Sequence, residues 1–170
     1  MSLPSIAAAI VSFAACVTDL KWRRIPNVLT FGAAAAAMVV HFWLQGITGL
    51  GQAAGGWVVG VLLFLPMMAL RGMGGGDVKL LGALGAWLGP MPTIWLALWT
   101  AIAGGAFAIV VAVAHGYTGR AFRNVWGMLS YWRVMGVRPH PALTLESAAG
   151  PRLPYSLPIA AGLGLTLWLT

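Results

Sequence analysis

Six apolar runs are the feature that most constrains how this chain can fold. They are Leu3 to Thr18, Val28 to Leu44, Ala53 to Leu70, Val78 to Leu88, Ile94 to Ala114 and Tyr155 to Thr170. Most are near the ~17 to 25 residues that a helix needs to cross a hydrocarbon layer of ~30 Å. Only 8% of the residues are charged, against about 25% in ordinary soluble domains. The runs predict an all-α, polytopic helical membrane protein with about six transmembrane helices.

The connections between the runs leave no room for a soluble domain of useful size. The sequence also contains no internal repeat and no low-complexity region that would indicate a second unit. We therefore predict a single membrane-embedded domain that covers residues 1–170.

The basic residues fall into three groups, each separated from the next by two apolar runs. The groups are Lys21, Arg23 and Arg24; Arg71 and Lys79; and Arg120, Arg123, Arg133, Arg138 and Arg152. All of them can lie on one face of the bilayer, and the positive-inside rule makes that face cytoplasmic. Both termini are then predicted to lie outside, with uncharged loops at Gln45 to Gln52 and Gly89 to Pro92. No nucleic-acid motif accompanies the net charge of +7, so lipids rather than nucleic acid are the expected partners.

The fourth apolar run follows three glycines and an aspartate in the stretch "RGMGGGDVKLLG". It has only about 11 residues, which is about 16 Å of helix at ~1.5 Å per residue. If it reaches the outer face, the glycine stretch lies below the membrane surface, where irregular backbone must be buried or line a wet cavity. Gly74, Gly75 and Gly76 then predict a partly submerged cavity beside Asp77. The alternative is a flexible turn in which Asp77 is an ordinary helix N-cap.

Asp19 ends the first run and, by the predicted topology, lies at the same depth as Asp77. Ionisable residues within membrane segments are costly, and they are candidates for function. The remaining acid, Glu146, is predicted to be a solvated loop residue. Two neighbouring carboxyl groups share one proton, so that one activates a water while the other polarises a peptide carbonyl. The pair predicts aspartyl proteolysis.

This chemistry needs no metal and no cofactor, and we expect neither. His41, His115 and His140 match no zinc-binding spacing and are predicted to be interfacial or loop residues. Cys16 is the only cysteine, so it cannot form a disulfide within the chain and is predicted to be a packed core residue.

The residues around both acids resemble the motifs of the type IV prepilin peptidases. "GGGDVKL" matches the family's Gly-x-Gly-Asp pattern at Gly74 to Asp77, followed by Lys79 and Leu80. "DLKWRRIPN" is similar to the first motif, an aspartate shortly before an Ile-Pro-Asn turn. "LPYSLPIAAG" resembles a C-terminal Pro-Tyr-Gly-Pro-Ile-Ala segment, with Ser156 in place of the glycine. Because Ser156 lies outside the acid motifs, we expect this departure to matter little.

The resemblance implies that Asp19 and Asp77 are the catalytic pair. The implied activity is cleavage of the short basic leader from a pilin-like precursor, at the cytoplasmic face of a bacterial inner membrane. Larger members carry a four-cysteine zinc site in an insertion and also methylate the new N-terminus. With one cysteine and only Leu20 to Ile25 in the corresponding loop, the chain resembles the short, peptidase-only branch associated with Flp pili and tight adherence.

Three residues near the acids have predicted roles in shaping the site. Pro26 and Asn27 are expected to fix the start of the second span, with Asn27 as its N-cap. The Lys79 ammonium either reaches lipid phosphates or biases the acid pair toward ionisation.

The basic segment after the fifth run carries apolar residues at helical spacing. They are Phe122, Val125, Trp126, Leu129 and Trp132, with Arg123 and Arg133 elsewhere on the helix surface. Such a segment most often lies on the membrane surface.

Two other kinds of membrane protein also pair acids. A presenilin-like intramembrane protease shares the Gly-x-Gly-Asp pattern, but the Ile-Pro-Asn turn after the first aspartate favours the prepilin branch. A proton or ion transporter is less favoured, because transporter sites tend to lie near the midplane between repeats.

Overall fold

The computed structural model describes residues 2–138 and 154–169, and every regular element in these two ranges is a helix. The elements are α1 (Leu3–Trp22), α2 (Asn27–Ala69), α3 (Gly75–Leu88), α4 (Pro90–Ala114), α5 (Thr118–Met135) and α6 (Ser156–Leu169). Within the described ranges, α1, α2 and α4 are long and apolar enough to cross a membrane, and α6 is a shorter apolar helix. The predicted all-α membrane fold is confirmed.

Large apolar side chains cover much of the outer surface of the long helices. Phe13 of α1, Trp43 of α2 and Ile109 of α4 are each more than 60% exposed. A surface covered so densely by side chains of this kind is favoured when the surrounding medium is itself apolar. The surface therefore agrees with a protein that is solvated by lipid.

Helix α2 contains two of the predicted spans and bends sharply between them at Gly46. This glycine has φ 62° and ψ −143°, which interrupts the helical backbone. The bend brings Gly49 against the backbone carbonyl of His41, where a side chain on Gly49 would overlap it. The connection predicted at Gln45 to Gln52 is thus wrong in extent, since helix continues on both sides of the single residue Gly46.

The two arms of α2, residues 27–45 and 47–69, run in opposite directions along α3. Residue numbers rise together along the first arm and α3, since Asn27 contacts Lys79 and His41 contacts Trp87. The first arm and α3 are therefore parallel. Residue numbers rise along the second arm as they fall along α3, since Gly56 contacts Gly85 and Gly60 contacts Leu81. The second arm and α3 are therefore antiparallel. Adjacent segments that alternate in direction are what successive membrane spans require.

Helix α3 is the centre of the bundle and packs against α1, α4 and both arms of α2. Leu80, Leu81 and Leu84 have no exposed surface. Gly85 and Gly56 bring the backbones of α3 and α2 so close that a side chain on either would overlap the other's carbonyl. Small residues at such crossings are typical of helices packed in membranes. The helix ends at Leu88, as expected, before Gly89 at φ 83° and Pro90.

Helix boundaries near α3 differ from the sequence prediction in two places. α3 begins at Gly75 rather than Val78, so part of the glycine stretch is helical. α4 begins at Pro90 rather than Ile94, because proline is well suited to the first turn of a helix. Only Gly89 therefore separates α3 from α4, instead of the predicted loop from Gly89 to Pro92.

Helix α5 confirms the helical spacing predicted after the fifth run, and none of its residues is buried. Phe122 and Trp126 are 75% and 73% exposed. Arg123 lies away from the apolar side of the helix, as predicted. Arg133 follows Phe122 by about three full turns at ~3.6 residues per turn, so both lie on the apolar side. The prediction that Arg133 lies away from the apolar residues is therefore wrong. His140, Glu146 and Arg152 lie outside the described residues.

Candidate active site

Asp19 lies near the carboxyl end of α1 and is only 8% exposed. Its backbone carbonyl accepts a hydrogen bond from the Arg23 N–H at 2.8 Å, with Arg23 in the left-handed conformation that ends the helix. Its side-chain Oδ2 accepts a hydrogen bond of 2.7 Å from Ser156 Oγ. A buried carboxyl group is costly without hydrogen bonds, so the contact with Ser156 helps to hold Asp19 in this position.

Asp77 is in the first turn of α3, half-buried and close enough to Asp19 for the two carboxyl groups to interact electrostatically. Its backbone N–H donates to the Gly74 carbonyl at 3.2 Å. The N-cap of α3 is Gly74, not Asp77, so the alternative in which the aspartate merely caps the helix is wrong. The structure brings Asp19 and Asp77 to the same end of the bundle, although 58 positions separate them in the chain.

The three glycines before Asp77 provide space, and the prediction of irregular backbone through all of them is wrong. Gly74 is extended at φ −72° and ψ 143°, and Gly75 and Gly76 belong to the first turn of α3. A Cβ on Gly76 would lie 3.4 Å from the Cβ of Ile25, and one on Gly74 would lie 3.1 Å from Asp77 Oδ2. The absence of side chains lets the segment before α2 approach α3 and leaves room around the carboxyl group.

Pro26, Asn27 and Lys79 connect the start of α2 to α3. The N-cap of α2 is Pro26, and its first helical residue Asn27 makes no capping bond, so the predicted N-cap role of Asn27 is wrong. Instead, Lys79 Nζ donates to Asn27 Oδ1 at 2.9 Å and lies 5.4 Å from the centre of the Phe31 ring. These two contacts fasten the second turn of α3 to α2, and the two roles predicted for Lys79 stay predictions.

Tyr155 and Ser156, at the start of α6, are site residues that the motif analysis did not select. Tyr155 interacts electrostatically with Asp77 and lies against Gly104 of α4, where a Cβ would come 2.7 Å from the phenol oxygen. Ser156 has no exposed surface and bonds to Asp19. The signal that could have found them was the resemblance of "LPYSLPIAAG" to a family segment, which sequence reasoning treated as lying outside the site.

The histidines and the cysteine lie apart from the acids or in packing positions. His41 is 7% exposed within α2 and bonds through Nε2 to the Trp87 carbonyl at 3.1 Å, so it is not a loop residue. His115 is exposed at the end of α4 and bonds to the Val111 carbonyl. Cys16 is buried, as predicted. Among residues 2–138 and 154–169, no three His, Cys, Asp or Glu side chains cluster as metal ligands.

Comparison with known proteins gives relatives of one kind. A "Prepilin leader peptidase/N-methyltransferase" of Burkholderia pseudomallei is 32% identical over 117 residues, which cover 61% of this chain and 38% of that protein. A "Type 4 prepilin-like proteins leader peptide-processing enzyme" of Escherichia coli is 31% identical over 104 residues, which cover 57% of this chain and 39% of that protein. The chain thus spans well under half of the length of these relatives. No solved structure matches it.

The aspartates Asp19 and Asp77 both lie within residues 6–109, and this is the range that matches the type IV leader peptidase family. The match covers more than half of the chain and contains α1, α2, α3 and most of α4. It therefore includes every helix that carries an acid in the described ranges. The chain belongs to the type IV leader peptidase family.

Proposed function

We propose that this protein is a membrane aspartyl endopeptidase that removes the short basic leader from pilin-like precursors. The observation that carries the proposal is the placement of Asp19 and Asp77 on two packed helices, near enough to interact electrostatically, in a member of the leader peptidase family. The names of the relatives point to the same substrate class. Both acids lie near helix ends, Asp19 three residues before the last residue of α1 and Asp77 in the first turn of α3. That depth suits a substrate cut where its apolar helix meets the aqueous phase.

The proposed reaction uses one proton shared by the two carboxyl groups. The ionised carboxylate takes a proton from a water, and the resulting hydroxide attacks the scissile carbonyl carbon. The protonated carboxyl group donates a hydrogen bond to the carbonyl oxygen as charge develops there. When the C–N bond breaks, the leaving amine receives a proton from the pair. The scissile peptide and one water are the only reactants that the acid pair needs, and the products are the new carboxyl group and the new amine.

A pair that works with one proton fails with two or with none. We therefore expect cleavage by the wild-type protein to fall at both pH extremes, because such coupled groups give a bell-shaped profile. Initial rates across the pH range, measured on membranes whose protein content is constant, test this. A profile that rises or falls without a maximum would argue against a shared proton.

The proposed location is the inner membrane of a bacterium, with the acids at the cytoplasmic face and both termini outside. The grouping of Lys21, Arg71 and Arg120 at connections separated by pairs of spans supports this orientation. Reporter fusions should find Gln45 and Pro92 outside and Arg24 inside. A reporter at Gln45 in the cytoplasm would overturn the orientation without affecting the proximity of the acids.

Within the family, we propose the short, peptidase-only branch associated with Flp pili. Its support is the brief connection between α1 and α2, residues 23–26, and the single cysteine of the sequence. These residues cannot supply the four thiolates of the zinc site in larger members. Mass spectrometry of the mature product should find an unmethylated N-terminal amine. Methylation of the product by the purified protein would exclude this branch.

The direct test is cleavage of a labelled precursor by the purified full chain in detergent or vesicles. The substrate is a synthetic pilin-like precursor in which a basic leader precedes an apolar helix. We expect one cut, at the junction of leader and helix. Cuts inside the apolar helix would support a presenilin-like protease instead. No cleavage, together with proton or ion flux in vesicles, would support a transporter.

A further inference from the structure

The start of α6 brings a serine hydroxyl into direct contact with one of the two aspartates. Ser156 Oγ donates to Asp19 Oδ2 at 2.7 Å. Ser156 is fully buried and Asp19 is 8% exposed, so water does not compete freely for this bond. A hydroxyl bonded to a carboxylate forms one of the stronger hydrogen bonds in proteins, and it is directional. The contact therefore fixes where one oxygen of Asp19 lies.

The geometry points to Ser156 as a positioning residue for Asp19. This inference rests on the proposed function and extends it. With Oδ2 held by the Ser156 hydroxyl, the other oxygen, Oδ1, is the one left to take a proton from the water. Ser156 itself needs to touch neither substrate nor water.

A second bond between the same two helices holds the serine in place. Cys16 Sγ donates to the Ser156 backbone carbonyl at 3.3 Å. Cys16 and Asp19 are three residues apart on α1, so they are neighbours on one face of that helix. Helix α1 thus contacts Ser156 at two points, through its carbonyl and through its hydroxyl. The bond to the carbonyl holds the Ser156 backbone beside α1, and the bond to Asp19 holds its side chain.

The hydroxyl of Ser156 bonds outside its own helix. A serine at the N-cap, the position before the first helical residue, commonly accepts a hydrogen bond from a backbone N–H of the same helix. Ser156 is the first residue of α6, yet its hydroxyl donates to a carboxyl group of α1. The bond therefore serves the contact between helices at the acid pair.

The family segment that this part of the sequence resembles has glycine where this chain has Ser156. Glycine has no side chain, so the donor to Asp19 is a feature of this chain rather than of the motif. By sequence, the departure is expected to matter little because it lies outside the acid motifs. In the fold, however, Ser156 is in direct contact with Asp19, so distance along the chain is a poor guide to its role.

The test compares variants that remove the hydroxyl in two different places on α6. Ser156→Ala removes the donor to Asp19, and Ser156→Gly does the same while introducing the residue of the family segment. Thr166→Val is the matched control, because it removes another fully buried hydroxyl, at the far end of α6. Cleavage of the synthetic pilin-like precursor by the full chain gives kcat and KM, and thermal unfolding reports stability.

We expect Ser156→Ala and Ser156→Gly each to lower kcat about ten- to a hundredfold, the effect of losing a hydrogen bond to a charged group. KM should stay unchanged, because the hydroxyl does not touch the substrate. Thr166→Val should keep the wild-type kcat even if it lowers the melting temperature. Ser156→Thr, which keeps the hydroxyl, should recover most of the lost rate.

Two results would separate failure of this inference from failure of the proposed function. Wild-type kcat in Ser156→Ala or Ser156→Gly, with Asp19→Asn inactive, would show that Ser156 only fills space and would overturn the positioning role. Substantial cleavage by Asp19→Asn would overturn the proposed mechanism itself. Equal loss of kcat in Thr166→Val would also overturn the inference, because the effect would then be one of helix packing.

Discussion

Helices α3 and α5 are of similar length, 14 and 18 residues, but they differ completely in what they bury. Nine of the residues of α3 are buried, including Leu80, Leu81 and Trp87. No residue of α5 is buried, and its large side chains Phe122 and Trp126 are mostly exposed. The family match contains α3 and ends at residue 109, before α5 begins.

The difference shows how packing of a helix can fix the position of an acid at the end of that helix. α3 is fixed on several sides by α1, α2 and α4, so the direction of its first turn, and of Asp77, is determined by packing far from the acid. α5 packs mainly against α4, and none of its own residues is buried. Precise placement of a functional group needs a rigid support, and α3 has that support whereas α5 does not.

The largest effect should come from breaking the support of α3 at its closest contact. Gly85→Val would force α3 away from the backbone of Gly56, because the obstructing atoms are backbone and cannot rotate aside. Overpacking of this kind costs about 1 to 3 kcal/mol or more. We expect loss of folded protein, seen as low yield of monodisperse protein in detergent. Gly105→Val is the control, because a Cβ on Gly105 meets nothing within 4 Å. Normal folding of Gly85→Val would mean that the helices are less tightly packed than described.

A smaller effect on folding, but a large one on activity, should follow substitution in the first turn of α3. A Cβ on Gly76 would make an ordinary contact of 3.4 Å with Ile25, so Gly76→Ala should be tolerated. The larger branches of valine would press on Ile25 and turn the segment that carries Asp77. We expect Gly76→Val to insert and fold but to lose cleavage. Membrane fractions with equal protein amounts, assayed on the synthetic precursor, check this.

If Gly76→Val cleaved the precursor at the wild-type rate, the space beside Ile25 would have no role in the site. The packing around α3 would then matter for folding of the protein but not for the placement of Asp77. Equal loss of activity in Gly76→Ala and Gly76→Val would instead mean that any side chain at this position disturbs the acids.

The smallest effect should come from α5, which we expect to lie on the membrane surface. Val125 falls on the apolar side with Phe122, and its neighbour Asn124 falls on the other side. Nitroxide labels at single cysteines, Val125→Cys and Asn124→Cys in a Cys16→Ala background, test this in vesicles. The label at 125 should be open to oxygen and shielded from a water-soluble quencher, and the label at 124 should show the reverse. Equal exposure of both labels to water would contradict surface binding.

The sequence predicted the helical class and the meeting of the two acids, because the bilayer dictates the length of apolar runs and the side on which charges lie. Both patterns can be interpreted without knowing how the helices pack. The sequence predicted a reversal at Gln45 to Gln52 but could not predict that Gly46 alone makes it, since one glycine gives no composition signal for so tight a bend. It also missed the bond from Ser156 to Asp19, which joins residues far apart in the chain. The partner of Lys79 was missed for the same reason, because Asn27 comes from another helix.

The N-cap role predicted for Asn27, and the alternative in which Asp77 only caps α3, are wrong for a related physical reason. Asparagine and aspartate near helix starts are strong capping candidates by sequence. In the structure, Pro26 and Gly74 occupy the cap positions, which leaves both polar side chains for contacts with other helices. Local preference was overridden by partners that only the fold brings near.

The most direct measurement of the central claim is cleavage by Asp19→Asn, Asp77→Asn and the double variant. An amide has the size of the carboxyl group but cannot serve as the base, so each single variant should lose nearly all activity. Members of one catalytic unit are strongly non-additive, and the double variant should be hardly worse than either single one. Glu146→Gln, at the acid outside the described residues, should cleave normally. Substantial turnover by either single variant, at membrane levels equal to wild type, would contradict the two-aspartate account.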